Sequence, residues 1–231
     1  MKKLIPLLAL LIVPITSQAA DIALYGDSRS RADIASFLEK NGHTIVYQNK
    51  HAPDSATLSK ADIVISTRHT ESEGNAAISD FVRQGGLLIT EWNASNWALG
   101  TARLIDASVT GQTDFPTDSP INLTDTALQY GMGDNGIGPA YRDGLRTRVT
   151  SGVGHLGKGV EVFATLPNGD PAIIGGTTGN GYTLVNTLNW GDYFSIGKNT
   201  TGLWLLNIIN NHEKYVSHNH TSPISTARYQ H

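Results

Sequence analysis

The chain has 231 residues, of which 39% are apolar and 16% are charged, so it is long enough to bury one substantial hydrophobic core. It contains no cysteine, which excludes disulfides, thiolate metal sites and a cysteine nucleophile. Lys and Arg number 17 against 20 Asp and Glu, a formal net charge of -3, and no basic tract is longer than a dipeptide. Nucleic acid is therefore not expected as a partner, because binding to phosphates needs clustered positive charge.

The first twenty residues have the three parts of a secretory signal peptide. Two lysines at positions 2 and 3 precede an apolar run over residues 4–15, and the small residues Ser17, Ala19 and Ala20 follow. The run is shorter than the roughly 20 residues that a membrane-spanning helix needs, so we expect no stable membrane anchor. Cleavage after Ala19 or Ala20 would give a periplasmic or secreted protein, and the lack of cysteine excludes a lipoprotein anchor.

Four short apolar segments in the first half predict β-strands. They span residues 21–26, 43–48, 62–67 and 87–92. Apolar residues at helical spacing lie between them, at Ile34, Phe37, Leu38, Ile78, Phe81 and Val82. Strands that alternate with helices predict an α/β fold class: a doubly wound, mainly parallel sheet in a flavodoxin-like three-layer sandwich.

The second half begins with a weak pattern and then becomes regular. Residues 93–153 are rich in Gly, Thr, Asp and Pro and predict only two short helices, at 99–105 and 123–130. Three later segments, joined by turns that contain glycine, predict a C-terminal β-meander. These strands span residues 160–166, 172–175 and 182–189.

A closing helix is predicted over residues 200–211. It is apolar on nearly all sides, so we expect it to lie against the sheet. This gives a signal peptide at 1–20, one domain at 21–212 and a flexible polar tail at 213–231. His218 and His220 in the tail suit a metal, but no acidic ligand accompanies them, so we predict a disordered tail without metal.

Several segments of the chain occur in a familiar order. They are Ala61-Asp62-Ile63-Val64-Ile65, Phe81-Val82-Arg83-Gln84-Gly85-Gly86, Leu87-Leu88-Ile89-Thr90, Gly169-Asp170-Pro171-Ala172-Ile173-Ile174 and Gly179-Asn180-Gly181-Tyr182-Thr183-Leu184-Val185, before a closing helix with Asn207. This order resembles the class I glutamine amidotransferase-like superfamily, and the second half is similar to its non-catalytic, secreted or membrane-linked branch. Catalytic members have a cysteine on a sharp strand-to-helix turn and a His-x-Glu pattern. Here cysteine is absent and His212-Glu213 are adjacent, so the resemblance implies the fold without amidotransferase chemistry.

Polar and aromatic residues follow the predicted strands, where open parallel sheets bind their ligands. They are Asp27, Ser28 and Arg29 after the first strand, Arg68 and His69 after the third, Glu91, Trp92 and Asn93 at the fourth, and Asn189, Trp190 and Asp192 after the last. We expect this crevice to bind a small ligand, a sugar or a partner protein of the cell envelope, without cofactor or metal. The alternative is that these residues form ordinary polar loops and that the tryptophans cover the edges of the core.

The segment Gly26-Asp27-Ser28 places a serine directly after the first strand. It resembles the nucleophile block of the SGNH esterase family, which implies a secreted serine hydrolase with Ser28 as nucleophile. By the order of the predicted elements, His69 is the nearest candidate for its base. The family's Gly-x-Asn-Asp block and C-terminal Asp-x-x-His pair do not occur in the sequence. The alternative is that Ser28 caps the helix that follows.

Overall fold

The computed structural model describes residues 19–68, 75–115, 121–133, 147–191 and 201–217. The first half contains β1 (Asp21–Gly26), α1 (Arg31–Lys40), β2 (Thr44–Asn49), α2 (Ser55–Leu58), β3 (Ile63–Thr67), α3 (Asn75–Arg83), β4 (Leu87–Glu91), α4 (Asn93–Asn96) and a π-helical turn (Trp97–Thr101). The second half contains β5 (Ala107–Phe115), β6 (Asn122–Leu123), α5 (Asp125–Gln129), β7 (Thr147–Leu156), β8 (Val160–Thr165), β9 (Pro171–Thr178), β10 (Gly181–Asn186), α6 (Thr201–Asn210) and α7 (His212–Ser217).

Eight strands form one sheet in the order β2-β1-β3-β4-β10-β9-β8-β6, in which the first five run parallel. All residues of β3, β4 and β10 are buried, as expected where helices cover both faces of a parallel sheet. The order of the five parallel strands is that of a flavodoxin-like sheet. The predicted fold class is therefore confirmed. The predicted meander is confirmed as well, because β8, β9 and β10 pair antiparallel.

The hydrophobic core is divided between the two faces of the sheet. Ile22 and Leu24 of β1 belong to a cluster on one face, together with residues of α1 and α6. The alternate residues Ala23 and Tyr25 belong to a cluster on the other face, together with residues of α3. This is the period of two that a strand buried on both sides produces. Among the described residues, no helix has the length and apolar character of a membrane span.

The sequence-based prediction was wrong in part for residues 93–156. The helix expected at 99–105 is replaced by α4 and the π-helical turn, and the antiparallel pair of β5 and β7 was not predicted. The register of this pair shifts between Ala107 and Val109, again before Gly111 and again after it. Such irregularities remove the strict alternation by which a strand is recognised. The helix expected at 123–130 is present in part, as α5.

The two C-terminal helices differ from the prediction in one respect. The helix α6 buries Trp204, Leu205, Ile208 and Ile209 against the sheet, as predicted. The residues that follow were predicted as a flexible tail, but α7 extends to position 217 because Tyr215 is fully buried. Its ring lies 4.9 Å from that of Tyr130. The remainder of the tail, with its histidines, lies outside the described residues.

Ala20 is the first buried residue among those that the structure describes, and its side chain lies fully in the core. Its carbonyl accepts the N–H of Thr44 at 3.0 Å, and its own N–H donates to Nδ1 of His43 at 3.3 Å. Burial lowers the pKa of His43, the proximity of Asn210 opposes this, and the proximity of His212 acts in the same direction as burial. His43 is therefore favoured in its neutral form, with Nδ1 as an acceptor.

Lowering the pH from about 7.5 to about 5.5 is expected to reduce the free energy of unfolding through His43. Because its pKa is lower in the folded protein than in the unfolded chain, where it is about 6.5, the unfolded chain takes up the proton first. The stabilising contribution is complete above the unfolded pKa and is lost as the pH falls toward the folded one. Urea unfolding at both pH values should show a weaker pH dependence for His43→Gln than for the wild type. An unchanged dependence would assign the effect to other groups.

Candidate functional site

The candidate site lies at the carboxyl ends of β1, β3 and β4. The strand β1 pairs with β2 on one side and with β3 on the other, so the switch point of the sheet lies between β1 and β3. Ligands of open α/β sheets bind beyond the strand ends at such a point. Ser28 follows β1 and Arg68 follows β3, and they flank the switch point. Glu91 ends the next strand, β4.

Glu91 connects three segments of the chain at this edge of the sheet. Its side chain is fully buried, with Oε2 accepting the backbone N–H of Arg68 at 2.7 Å and Oε1 accepting that of Gly191 at 3.2 Å. Both bonds are strengthened by the charge of the carboxylate. Glu91 therefore fixes the end of β3 and the segment after β10 relative to β4. With a backbone donor on each oxygen, it is a structural residue in this arrangement.

Arg68 and Trp92 both adopt a left-handed backbone, which is uncommon for residues other than glycine. Their φ angles are +48° and +45°. They follow adjacent strands, and the guanidinium carbon of Arg68 lies 4.3 Å from the centroid of the Trp92 ring, within the range of a cation–π interaction. Each strained residue costs about 1–3 kcal/mol, and such residues concentrate at functional sites. Two of them in mutual contact mark this edge as the candidate site.

Trp92 forms the sharp turn between β4 and α4, with φ +45° and ψ -116°. The predicted strand ends at Trp92, whereas β4 ends one residue earlier, at Glu91. The N–H of Ser95 donates to the carbonyl of Trp92 at 2.8 Å, and its hydroxyl donates to the carbonyl of Asn186 at 2.9 Å, which ties α4 to β10. A strained turn from strand to helix is the geometry that presents the nucleophile in α/β-hydrolases. In this chain the turn carries an indole ring.

Ser28 is buried, and its hydroxyl is engaged in hydrogen bonds with the backbone. It donates to the carbonyl of Gly191 at 2.5 Å and accepts the N–H of Ser30 at 3.3 Å. The expectation that Ser28 caps the first helix needs correction, because Ser30 occupies the N-cap position and α1 begins at Arg31. Arg31 in turn donates to the carbonyl of Gly26. The structure thus shows Ser28 linking the end of β1 to the segment after β10.

The other predicted site residues lie at different depths. Asp27 and Arg29 are exposed and Asn93 is half-buried. Asn189 is buried, and its Oδ1 has no hydrogen-bond partner in the part of the chain that the structure describes. Trp190 was expected at the rim, but only 1% of it is exposed and its ring packs 5.5 Å from that of Trp204, so it belongs to the core. His69 and Asp192 lie outside the described residues.

Gly191 is the residue at this edge that the sequence analysis missed. Its carbonyl accepts from Ser28 and its N–H donates to Glu91, so it joins both neighbours through its backbone. A Cβ atom at this position would lie 3.2 Å from the hydroxyl of Ser28 and 3.4 Å from the carboxyl carbon of Glu91, which favours glycine. In the sequence, this role is indicated by a glycine that directly follows Asn189 and Trp190 after a predicted strand. Among the described residues, no three His, Asp or Glu side chains are grouped as metal ligands.

A cavity of about 460 Å³ lies at the opposite, amino-terminal edge of the parallel strands. Asp62, Asp80, His212 and Glu213 are among the residues that line it. Nδ1 of His212, the first residue of α7, is 2.8 Å from the carbonyl of Ile209 in α6, so this ring is held by the preceding helix. The cavity lies away from the switch point, and none of the predicted site residues that the structure describes lines it.

The comparisons with known proteins establish the class of fold. Solved structures that superimpose on the chain include ThuA-like proteins, which have the class I glutamine amidotransferase-like fold, at low sequence identity. No protein-family model matches the chain. No curated protein matches it by sequence.

Three solved structures illustrate the similarity. A cytoplasmic protein from Salmonella typhimurium LT2 superimposes with a TM-score of 0.60 at 13% identity, over 83% of this chain and 99% of its own. A protein from Thermoplasma acidophilum, described as part of a GMP synthase, gives 0.59 at 10% identity, over 88% and 98%. A proposed ThuA-like protein from Bacteroides uniformis ATCC 8492 gives 0.53 at 12% identity, over 85% and 93%. Identities in this range show a shared fold and leave the activity open.

Proposed function

We propose that this chain is an exported, non-catalytic protein of the amidotransferase-like fold that binds a small hydroxyl-rich ligand, such as a sugar, at the strand-end crevice. The observation that carries the proposal is the identity of the residue at the strained turn after β4. Trp92 occupies that turn, and an indole ring is not a nucleophile for acyl transfer. The geometry of a catalytic turn is thus combined with a side chain suited to binding.

The class of ligand follows from unsatisfied polar atoms at the ends of β4 and β10, which are neighbouring parallel strands. Within the described residues, three buried atoms there have no hydrogen-bond partner: Nε1 of Trp92, Nδ2 of Asn186 and Oδ1 of Asn189. Buried polar groups are normally satisfied, so these atoms would gain from a polar partner, which reaches them once the side chains that cover them move aside. Two are donors and one is an acceptor. A hydroxyl group can serve both kinds of partner, which favours a sugar-like ligand.

Arg68 supplies the charged group of the proposed site. It is half-buried, and its guanidinium lies over Trp92 at 4.3 Å while its backbone N–H is bound to Glu91. The side chain can therefore be removed without breaking the bond that holds the end of β3. Arg68→Ala therefore removes the side chain while the bond between the backbone N–H of this residue and Glu91 is kept.

Arg68→Ala is expected to weaken ligand binding about tenfold, a loss of about 1.4 kcal/mol, and to leave the melting temperature nearly unchanged. Wild type and variant would be titrated with a panel of monosaccharides and oligosaccharides, with tryptophan fluorescence and calorimetry as readouts. Arg83→Ala is the matched control, because that arginine is exposed at the end of α3 and its side chain is 3.8 Å from Asp80. If wild type and Arg68→Ala bind a sugar with equal affinity, Arg68 does not contribute to the binding site. If no sugar of the panel binds, the proposal of a sugar ligand is wrong.

The serine hydrolase alternative is tested on the same protein with a fluorophosphonate probe. The hydroxyl of Ser28 donates its proton to the backbone carbonyl of Gly191, which is not a general base, so we expect no labelling. Labelling that disappears in Ser28→Ala would favour the hydrolase and would contradict the binding proposal. Pull-down of a defined envelope protein, lost in Arg68→Ala, would indicate a protein as the occupant of the crevice in place of a sugar.

A further inference from the structure

We infer that signal peptidase cleaves this chain between Ala19 and Ala20, so that the mature protein begins with Ala20. The inference rests on the proposed export and assigns the processing site to one bond. Two independent observations select it from the two bonds that composition allows: the residues before the bond, and the part that Ala20 plays in the fold.

The first observation concerns the residues that the peptidase would read. Cleavage sites of secretory signals have small residues at the first and third positions before the bond. For cleavage after Ala19 these positions hold Ala19 and Ser17, which are both small. For cleavage after Ala20 they hold Ala20 and Gln18, and glutamine is too large for the pattern. The local sequence therefore favours the bond after Ala19.

The second observation is that Ala20 is part of the folded domain and Ala19 is not buried in it. Ala19 is exposed, whereas the side chain of Ala20 has no exposed surface and lies in the core cluster with β1 and α1. The carbonyl of Ala20 accepts the N–H of Thr44, and its nitrogen donates to His43. Cleavage after Ala20 would remove all three interactions, whereas cleavage after Ala19 retains them, since a terminal amino group can still donate to His43.

The two observations concern different stages in the life of the protein, namely cleavage during export and folding afterwards. Signal peptidase acts on the chain as it is exported, so the local sequence selects the bond. Of the two possible products, the one that begins with Ala20 keeps every residue of the core at this end of the domain. The next residue, Asp21, is the first of β1, and its N–H donates to the carboxylate of Asp62 at 2.9 Å. Every residue from Ala20 onward at this end of the domain therefore takes part in the fold. The bond after Ala19 is the last one that can be cut without removing a residue of the core.

The full-length chain would be produced in a bacterial host, and the protein recovered from the periplasm would be analysed by intact mass and N-terminal sequencing. We expect the N-terminal sequence Ala-Asp-Ile, with loss of residues 1–19. A mature N-terminus at Asp21, or at any other residue, would overturn the inference and leave the proposed export intact. Recovery of unprocessed protein in the cytoplasm would contradict the export itself.

A reciprocal pair of variants sharpens this test. If cleavage follows Ala19, then Ser17→Leu places a large residue at the third position before the bond and should cause loss of processing and accumulation of precursor. Gln18→Leu is the matched control, because position 18 is then the tolerant second position and processing should remain as in the wild type. The opposite result, normal processing of Ser17→Leu and loss of processing in Gln18→Leu, would assign cleavage to the bond after Ala20.

Discussion

Replacing Glu91 by glutamine is expected to lower the free energy of unfolding by about 3 kcal/mol. The two carboxylate oxygens accept from the backbone N–H groups of Arg68 and Gly191, at 2.7 and 3.2 Å. Glutamine has only one carbonyl oxygen, so its NH₂ group would face one of these donors and leave a buried N–H without a partner. The charge that strengthens both bonds would also be lost. Urea unfolding should show a lower midpoint with an unchanged slope.

Glu161→Gln is the matched control for this prediction. Glu161 also accepts two hydrogen bonds, from the hydroxyls of Tyr130 and Tyr182 at 2.9 and 2.6 Å, but both go to the same oxygen, Oε2. The single carbonyl oxygen of glutamine can accept both, so we expect a loss of about 1 kcal/mol. If Glu91→Gln costs no more than Glu161→Gln, the carboxylate of Glu91 does not hold the strand ends together, and the account of the site is wrong.

The central strands were predictable from the sequence because they are buried on both faces. The sequences of β1, β3 and β4 are short apolar runs that end at glycine, acidic or polar residues. Such continuous apolar runs are typical of strands in a parallel sheet that is covered on both faces. The hairpin of β5 and β7 was not predictable in this way, since its register shifts break the alternation. The prediction thus succeeded for strands whose residue types are dictated by burial. It failed for the strand pair whose irregular backbone removes the regular sequence pattern.

The location of the site was predictable to the same extent as the topology. Once the strands are parallel, the residues after them must meet at one edge, and the structure brings Ser28, Arg68, Glu91 and Trp92 there. The roles of these residues were not predictable, because they depend on side-chain direction and on φ angles. No linear pattern shows that Glu91 binds two backbone N–H groups or that Trp92 has a left-handed backbone. The same limit applies to Trp190, whose burial depends on its contact with Trp204 in the closing helix.

Gly26→Ala is expected to prevent folding, or to lower the free energy of unfolding by about 4 kcal/mol or more. Gly26 is the last residue of β1, pairs with Thr67 of β3 and has φ +117°, a conformation that other residues avoid. A Cβ atom there would lie 1.6 Å from the carbonyl oxygen of Thr67, which is backbone of the neighbouring strand and cannot move aside cheaply. The two strands would have to separate at the switch point of the sheet.

Gly42→Ala separates this steric clash from simple backbone strain. Gly42 also has a positive φ, +89°, but nothing lies within 4 Å of its Cβ position. Its substitution should cost only the left-handed strain of one residue, about 1–2 kcal/mol. Thermal melts of both variants, with soluble yield as a second readout, would compare the two costs directly. Equal melting temperatures would mean that β1 and β3 can separate at Gly26 without penalty, and the rigid edge on which Ser28 and Arg68 are placed would no longer be supported.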